Sequence, residues 1–97
     1  MKKDEKMYII RTLNTGVFYG KIKELKDTTI TLTDCRRLWY WSGAASLSQL
    51  ANEGVKYPDK CKFTVVVKEI TIFGVLEIIP VSSKAISNIN SVPIWKI

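Results

Sequence analysis

Histidine is missing from all 97 residues. The commonest general base and the commonest transition-metal ligand are missing with it. A Ser-His or Cys-His nucleophilic pair is excluded, within one chain or between identical copies. Cysteine is scarce too: Cys35 and Cys61 are too few for a disulfide framework and too far apart for a zinc knuckle. Both read as reduced, half-buried strand residues, because an unpaired cysteine behaves as a small hydrophobe. Long apolar runs are also lacking. The longest, EITIFGVLEII, carries a glutamate near each end and is too short to cross a bilayer. No apolar signal-peptide core follows the charged start MKKDEK. The chain therefore reads as cytoplasmic and soluble, with no membrane partner, no metal and no cofactor. Its nine carboxylates are scattered, and no spacing sets a pair across a cleft. An enzyme ranks last among the functions these residues could serve.

What is present is ordinary in amount and unusual in placement. The apolar fraction of 46% suits one globular domain over 1–97, with a charged tail at 1–6 and an extended tail at 91–97. The formal charge of +6 comes from spread basic residues and favours anionic partners.

The apolar pattern is mainly that of strands. MYIIRTL, the turn NTG and VFYGKIKEL read as a hairpin over 7–13 and 17–25, with Gly20 marking a bulge or bend. TITLTD alternates cleanly, Ile30 and Leu32 inward and Thr29, Thr31 and Thr33 outward. The alternation falters at Asp34 and Cys35 before RRLWYW resumes it. SGAASLSQLANEG reads as a helix at about 43–53, with Ser42 as N-cap and Gly54 as the closing glycine. KFTVVVKEITIFGVLEII holds two strands, broken at Lys68–Glu69 or, better, at Phe73–Gly74. PVSSKAISNIN reads as a short helix capped by Ser82 or Ser83, with Ile86 and Ile89 as its contacts, and Trp95 docks the tail that follows. The expected fold is mainly β with minor α: a small, bent, five-stranded antiparallel sheet or SH3/Sm-like barrel, one inserted helix and a short C-terminal helix.

Two resemblances accompany that reading. NTGVFYGKIKE and TITLTD resemble the opening of SH3-like and Sm-like small barrels. GVFYGKI, LTDCRRLWYWSGAASLSQLANEGV and CKFTVVV with EIIP resemble a family of short uncharacterised proteins found in bacteriophages and bacterial genomes. That second resemblance implies a phage association, and hence a host cytoplasm, but transfers no catalytic residues.

The chemistry concentrates in RRLWYWSGAAS. Along a strand, Arg37, Trp39 and Trp41 share one face while Arg36, Leu38 and Tyr40 share the other. Leu38 and Tyr40 suit a core, which turns the first set outward; swapping the faces exposes Arg36 and Tyr40 instead. The plain alternative is that the tryptophans fill a small core and the arginine stems cover its edge. As a binding surface, an indole face stacks a base for about 1–3 kcal/mol, and an arginine fork clamps phosphate. The unpaired amides of the helix start, at Gly43, Ala44 and Ala45, together with a hydroxyl of Ser42 or Ser46, could receive the same phosphate. The candidate ligand site is thus Arg36, Arg37, Trp39, Tyr40, Trp41, Ser42, Gly43, Ala44 and Ser46. The expected function is non-enzymatic binding of an anionic small molecule, a nucleotide fitting best, with sequestration of a host nucleotide immune signal as its purpose. A nucleic-acid-binding module would use the same residues. So would a protein–protein anchor, since Trp, Tyr and Arg are enriched at binding hot spots. The threonine row and TVVV suggest a sheet edge that pairs with another copy, hence a homo-oligomer.

Overall fold

The computed structural model describes residues 6–97. The charged tail expected over 1–6 lies outside that range except for Lys6, which is exposed. The elements run β1 (Tyr8–Thr12), β2 (Val17–Lys26), β3 (Thr29–Tyr40), α1 (Leu47–Glu53), β4 (Lys62–Phe63), β5 (Val67–Phe73), β6 (Val75–Pro80) and α2 (Ser83–Asn90). One 3-10 turn, Pro58–Lys60, precedes β4. The strands form a single antiparallel sheet in the order β4-β3-β2-β1-β6, with β5 beside the first half of β3. This is six strands, not five; β4 is two residues long and too short to leave an alternating pattern in the sequence. The sheet is not a closed barrel, because β5 and β6 lie on opposite flanks and do not pair among the described residues. The break between them falls at Gly74, as the turn propensity of glycine predicts.

The sheet buries apolar residues on both faces. Ile10, Phe18, Ile30, Leu32, Cys35 and Ile72 form a core of strand residues alone, joined by Val75 and Ile78. Both flanking strands contribute to it, so the sheet must curl around it. On the other face Ile9, Tyr19, Leu38 and Phe63 pack against Leu50 and Ala51 of α1 and Ala85 and Ile89 of α2. Strand β3 serves both cores by changing phase. Asp34 adopts a left-handed φ of 51°, which aspartate tolerates better than most residues. The pairing with β2 slips there: Thr33 faces Lys21, but Arg36 faces Tyr19. The bulge expected at Gly20 thus sits on the opposite strand. Gly20 serves it by lacking a side chain, since a Cβ would lie 3.1 Å from the Thr33 carbonyl and 3.2 Å from Cys35 Cα.

Helix α1 begins four residues later than the sequence reading placed it, so the expectation of a helix from 43 is corrected. Ser42 does not cap it; Ser46 does, its hydroxyl accepting from the Gln49 N–H at 3.2 Å. Gln49 reaches back to accept from the Ala45 N–H at 2.8 Å, a near capping box. The two helices lock end to end. Ser82, the N-cap of α2, donates its amide to the Ala51 carbonyl and its hydroxyl to the Asn52 carbonyl. Asn88 clasps the backbone of Val55 through both its amide atoms. A side chain at Gly54 would occupy the place of Asn88.

Arg36 joins the helices to the sheet. It is 5% exposed and has no carboxylate partner among the described residues. Its five N–H groups donate to five carbonyls: Thr64 from Nε, Ile89 and Val92 from Nη1, Phe63 and Pro93 from Nη2. One of these carbonyls, Ile89, belongs to the last turn of α2, where the helix dipole is negative, and Val92 follows just beyond the helix. Burial lowers the pKa of the guanidinium, but arginine starts high enough to stay charged. The threonine row Thr29, Thr31 and Thr33 is not a free edge, since β3 has strands on both sides. Thr31 instead bonds Thr71 across β5 at 3.1 Å.

Two stability tests follow from this arrangement. Arg36→Leu removes a donor from five carbonyls, of which Phe63 keeps the Trp95 amide and Ile89 the Val92 amide, and loss of about 3 kcal/mol or more is expected from the three left without one, read from the urea midpoint. A change below about 1 kcal/mol would mean that the carbonyls find other partners. The Cys35 thiol is pushed from 9.0 to about 12, chiefly by burial, with Arg37 and a backbone hydrogen bond at Tyr19 pulling it down. The folded protein keeps a proton that the unfolded chain releases above pH 9. This contribution is therefore complete below pH 9 and is lost between pH 9 and 12, at on the order of 1 kcal/mol per pH unit. Cys35→Ala should flatten the alkaline limb of stability against pH by that slope.

Candidate functional site

Of the residues singled out from the sequence, three meet. Arg37, Trp39 and Trp41 line one groove of about 350 Å³, together with Leu38 and with Thr15, Gly16 and Val17 from the β1–β2 turn. The turn reaches β3 because Phe18, the residue after Val17, pairs with Arg37. Thr12 shapes that turn: its hydroxyl donates to the Gly16 carbonyl at 2.7 Å and accepts the Thr15 N–H at 3.0 Å.

Arg37 lies with its guanidinium carbon 4.6 Å from the centroid of the Phe18 ring. Its backbone is tied on both sides to Thr64, whose hydroxyl accepts the Arg37 N–H at 2.9 Å. Its guanidinium, by contrast, makes no hydrogen bond or ion pair among the described residues, and Nε is buried without a partner. Such a group carries a desolvation penalty of about 1–3 kcal/mol. Trp39 is 63% exposed. Trp41 is half-buried and packs against the helix-side core. The β3–β4 register shifts between Leu38 and Tyr40, which ends strict alternation there. Tyr40 consequently stands exposed, opposite Lys62, and not in the core.

The other candidates are employed elsewhere. Arg36 is spent on the five carbonyls and points away from the groove's lining. Ser42 donates its amide to Cys61 Sγ at 3.4 Å. Gly43 packs on the Lys56 backbone and accepts its N–H at 3.1 Å. It borders a separate hollow of about 170 Å³ with Gln49, Glu53, Gly54, Val55, Lys56 and Lys84. Ala44 packs on the helix-side core, and the Ser46 hydroxyl and Ala45 amide are consumed by the cap of α1. The expected phosphate cradle at 43–45 is therefore not assembled beside the tryptophans. The reason is local: a helix starting at 47 leaves those residues in a loop.

Trp95, read from the sequence as docking the tail, lies outside the groove's lining but next to it. The tail does dock: Ile94 bridges Phe63, and the Trp95 amide donates to the Phe63 carbonyl at 2.9 Å. That brings the indole to Trp39, ring centroids 6.2 Å apart and planes 18° apart. The Lys62 ammonium lies 5.4 Å from the Trp95 ring centroid.

The family described as a domain of unknown function, DUF6948, matches residues 5–89. The chain belongs to that family. No curated protein and no solved structure matches it. The matched span takes in all of the groove's lining but ends before Trp95. Among the described residues, no helix is long and apolar enough to cross a membrane, and no cluster of acidic or thiol side chains is placed to hold a metal ion.

Exposure separates the two tryptophans of β3 and its exit. Trp39→Ala should cost less than about 1 kcal/mol, as for a surface change. Trp41→Ala should cost about 2–4 kcal/mol by opening the helix-side core. Chemical denaturation of both variants checks this, and equal costs would put Trp39 in the core after all.

Proposed function

We propose that this chain is a non-enzymatic binding protein for a small planar anion, with a nucleotide as the best fit. One observation carries the reading: the Arg37 guanidinium lies on the Phe18 ring, has no hydrogen-bond or carboxylate partner among the described residues, and opens on a groove walled by two indoles. A cation packed on a ring with no anion among those residues is ready for an external one, and its planar fork loses little side-chain entropy when it binds. The indoles supply a stacking face for a base, and the groove's size lies in the range of small-molecule sites. Among the described residues of the lining, Arg37 is the ionisable side chain, and no carboxylate stands beside the Thr15 hydroxyl to act as its base. Binding without turnover is the reading this lining favours.

The finer expectations belong to the same proposal. The resemblance of its GVFYGKI and CRRLWYW segments supports a phage association in a host cytoplasm, and that association together with the groove is what favours sequestering a host nucleotide signal. Assembly into a homo-oligomer is supported by the exposed Val65, Val66, Val67 and Phe73 on and beside the free flank of β5.

Calorimetry of the folded protein against linear and cyclic nucleotides tests the reading. Heat is expected with at least one of them, and Arg37→Ala should weaken that binding about tenfold or more, the loss of a charge-assisted hydrogen bond. Folded protein that gives no heat with any member of the panel overturns it.

A further inference from the structure

We propose that the groove is one end of a longer track, and that the natural ligand is a single strand of nucleic acid spanning Arg37, Trp39, Trp95 and Lys62. This rests on the nucleotide reading of the groove and extends it. Strand β3, strand β4 and the C-terminal tail lie side by side, with Leu38 opposite Phe63, Tyr40 opposite Lys62, and Phe63 bridged to Ile94. Leu38 and Phe63 face the helices. Lys62, next to Phe63, is turned outward and exposed, and so are Trp39 and Trp95. The outer side therefore carries Trp39 stacked with Trp95, Lys62 against Trp95, and Arg37 at the groove end. Trp39 remains 63% exposed and Trp95 43% exposed despite the contact between them, so both still offer stacking surface.

The row also carries charge. Three sheet cations are neutralised, Arg11 by Glu77, Lys21 by Asp34 and Lys23 by Glu69, while Lys26 and Lys68 stand apart from any aromatic pair. Arg37 and Lys62 have no carboxylate partner among the described residues. Rings interleaved with unneutralised cations are the makings of a surface that binds single strands: bases stack while phosphates meet the cations, with little regard to sequence. A mononucleotide is served by the groove alone and leaves Trp95 and Lys62, which lie outside its lining, unused.

Tryptophan fluorescence of the full chain, titrated with a mononucleotide and with oligo(dT) and oligo(U) of about ten nucleotides, is the test. Both oligomers are expected to bind at least about tenfold tighter than the mononucleotide, as a second stacked base requires. A preference between them tells DNA from RNA, and either satisfies the proposal. Trp95→Ala should weaken oligomer binding roughly 5- to 150-fold and weaken mononucleotide binding far less. Lys62→Gln, an exposed change that does not threaten the fold, should reduce the slope of log affinity against log salt by about 0.7. Oligomers that bind no tighter than a mononucleotide, or that ignore both substitutions, overturn the track and leave the groove standing. If neither mononucleotide nor oligomer binds, the track and the nucleotide reading fall together.

Discussion

A single buried cation organises the C-terminal half of this protein. Arg36 gathers carbonyls from three places: the end of β4, the last turn of α2 and the start of the tail. No carboxylate would do the same work, because the partners are all acceptors, and lysine has too few donors in the wrong geometry. The Phe63 carbonyl shows how far the effect reaches. It takes one hydrogen bond from Arg36 and another from the Trp95 amide. The tail thus lies against β4 because the guanidinium has fixed both of its neighbours. The stacking of Trp95 on Trp39 is downstream of that. A residue with no access to the groove sets the geometry of its outer rim.

The second constraint is the change of phase in β3. Before Asp34 the strand sends Ile30 and Leu32 into the strand-only core; beyond it Arg36 and Leu38 face the helices, while Cys35 stays with the first core. One left-handed residue and one glycine on the neighbouring strand let a single twelve-residue strand serve two faces. Without the slip, Arg36 would face the strand-only core, where no carbonyl row waits for it. The bulge and the carbonyl clasp are therefore one device, read first along the chain and then across it.

Much of this was legible in the residues, for reasons that can be stated. The alternation of TITLTD is clean because one side meets a core and the other meets water. The helix start was misplaced because two serines compete for the cap; Gln49, three residues after Ser46, is the signal that decides between them. Strand β4 left no trace, since two residues carry no period. At the site, Arg37, Trp39 and Trp41 were found together because they are neighbours in sequence. Thr15, Gly16, Val17 and Trp95 are brought to them by strand pairing alone, which no local pattern encodes. The role of Arg36 was hidden for the same reason: backbone acceptors belong to every residue type and leave no signature.

The open flank of the sheet has its own mechanical meaning. Strands β5 and β6 border the gap and are joined by Gly74 alone, whose amide and that of Val75 both donate to the Thr28 carbonyl, while its own carbonyl accepts from Leu13. Among the described residues the two strands share no ladder hydrogen bond, so across the gap their registers are held relative to each other only through this one turn and through their inner partners β3 and β1.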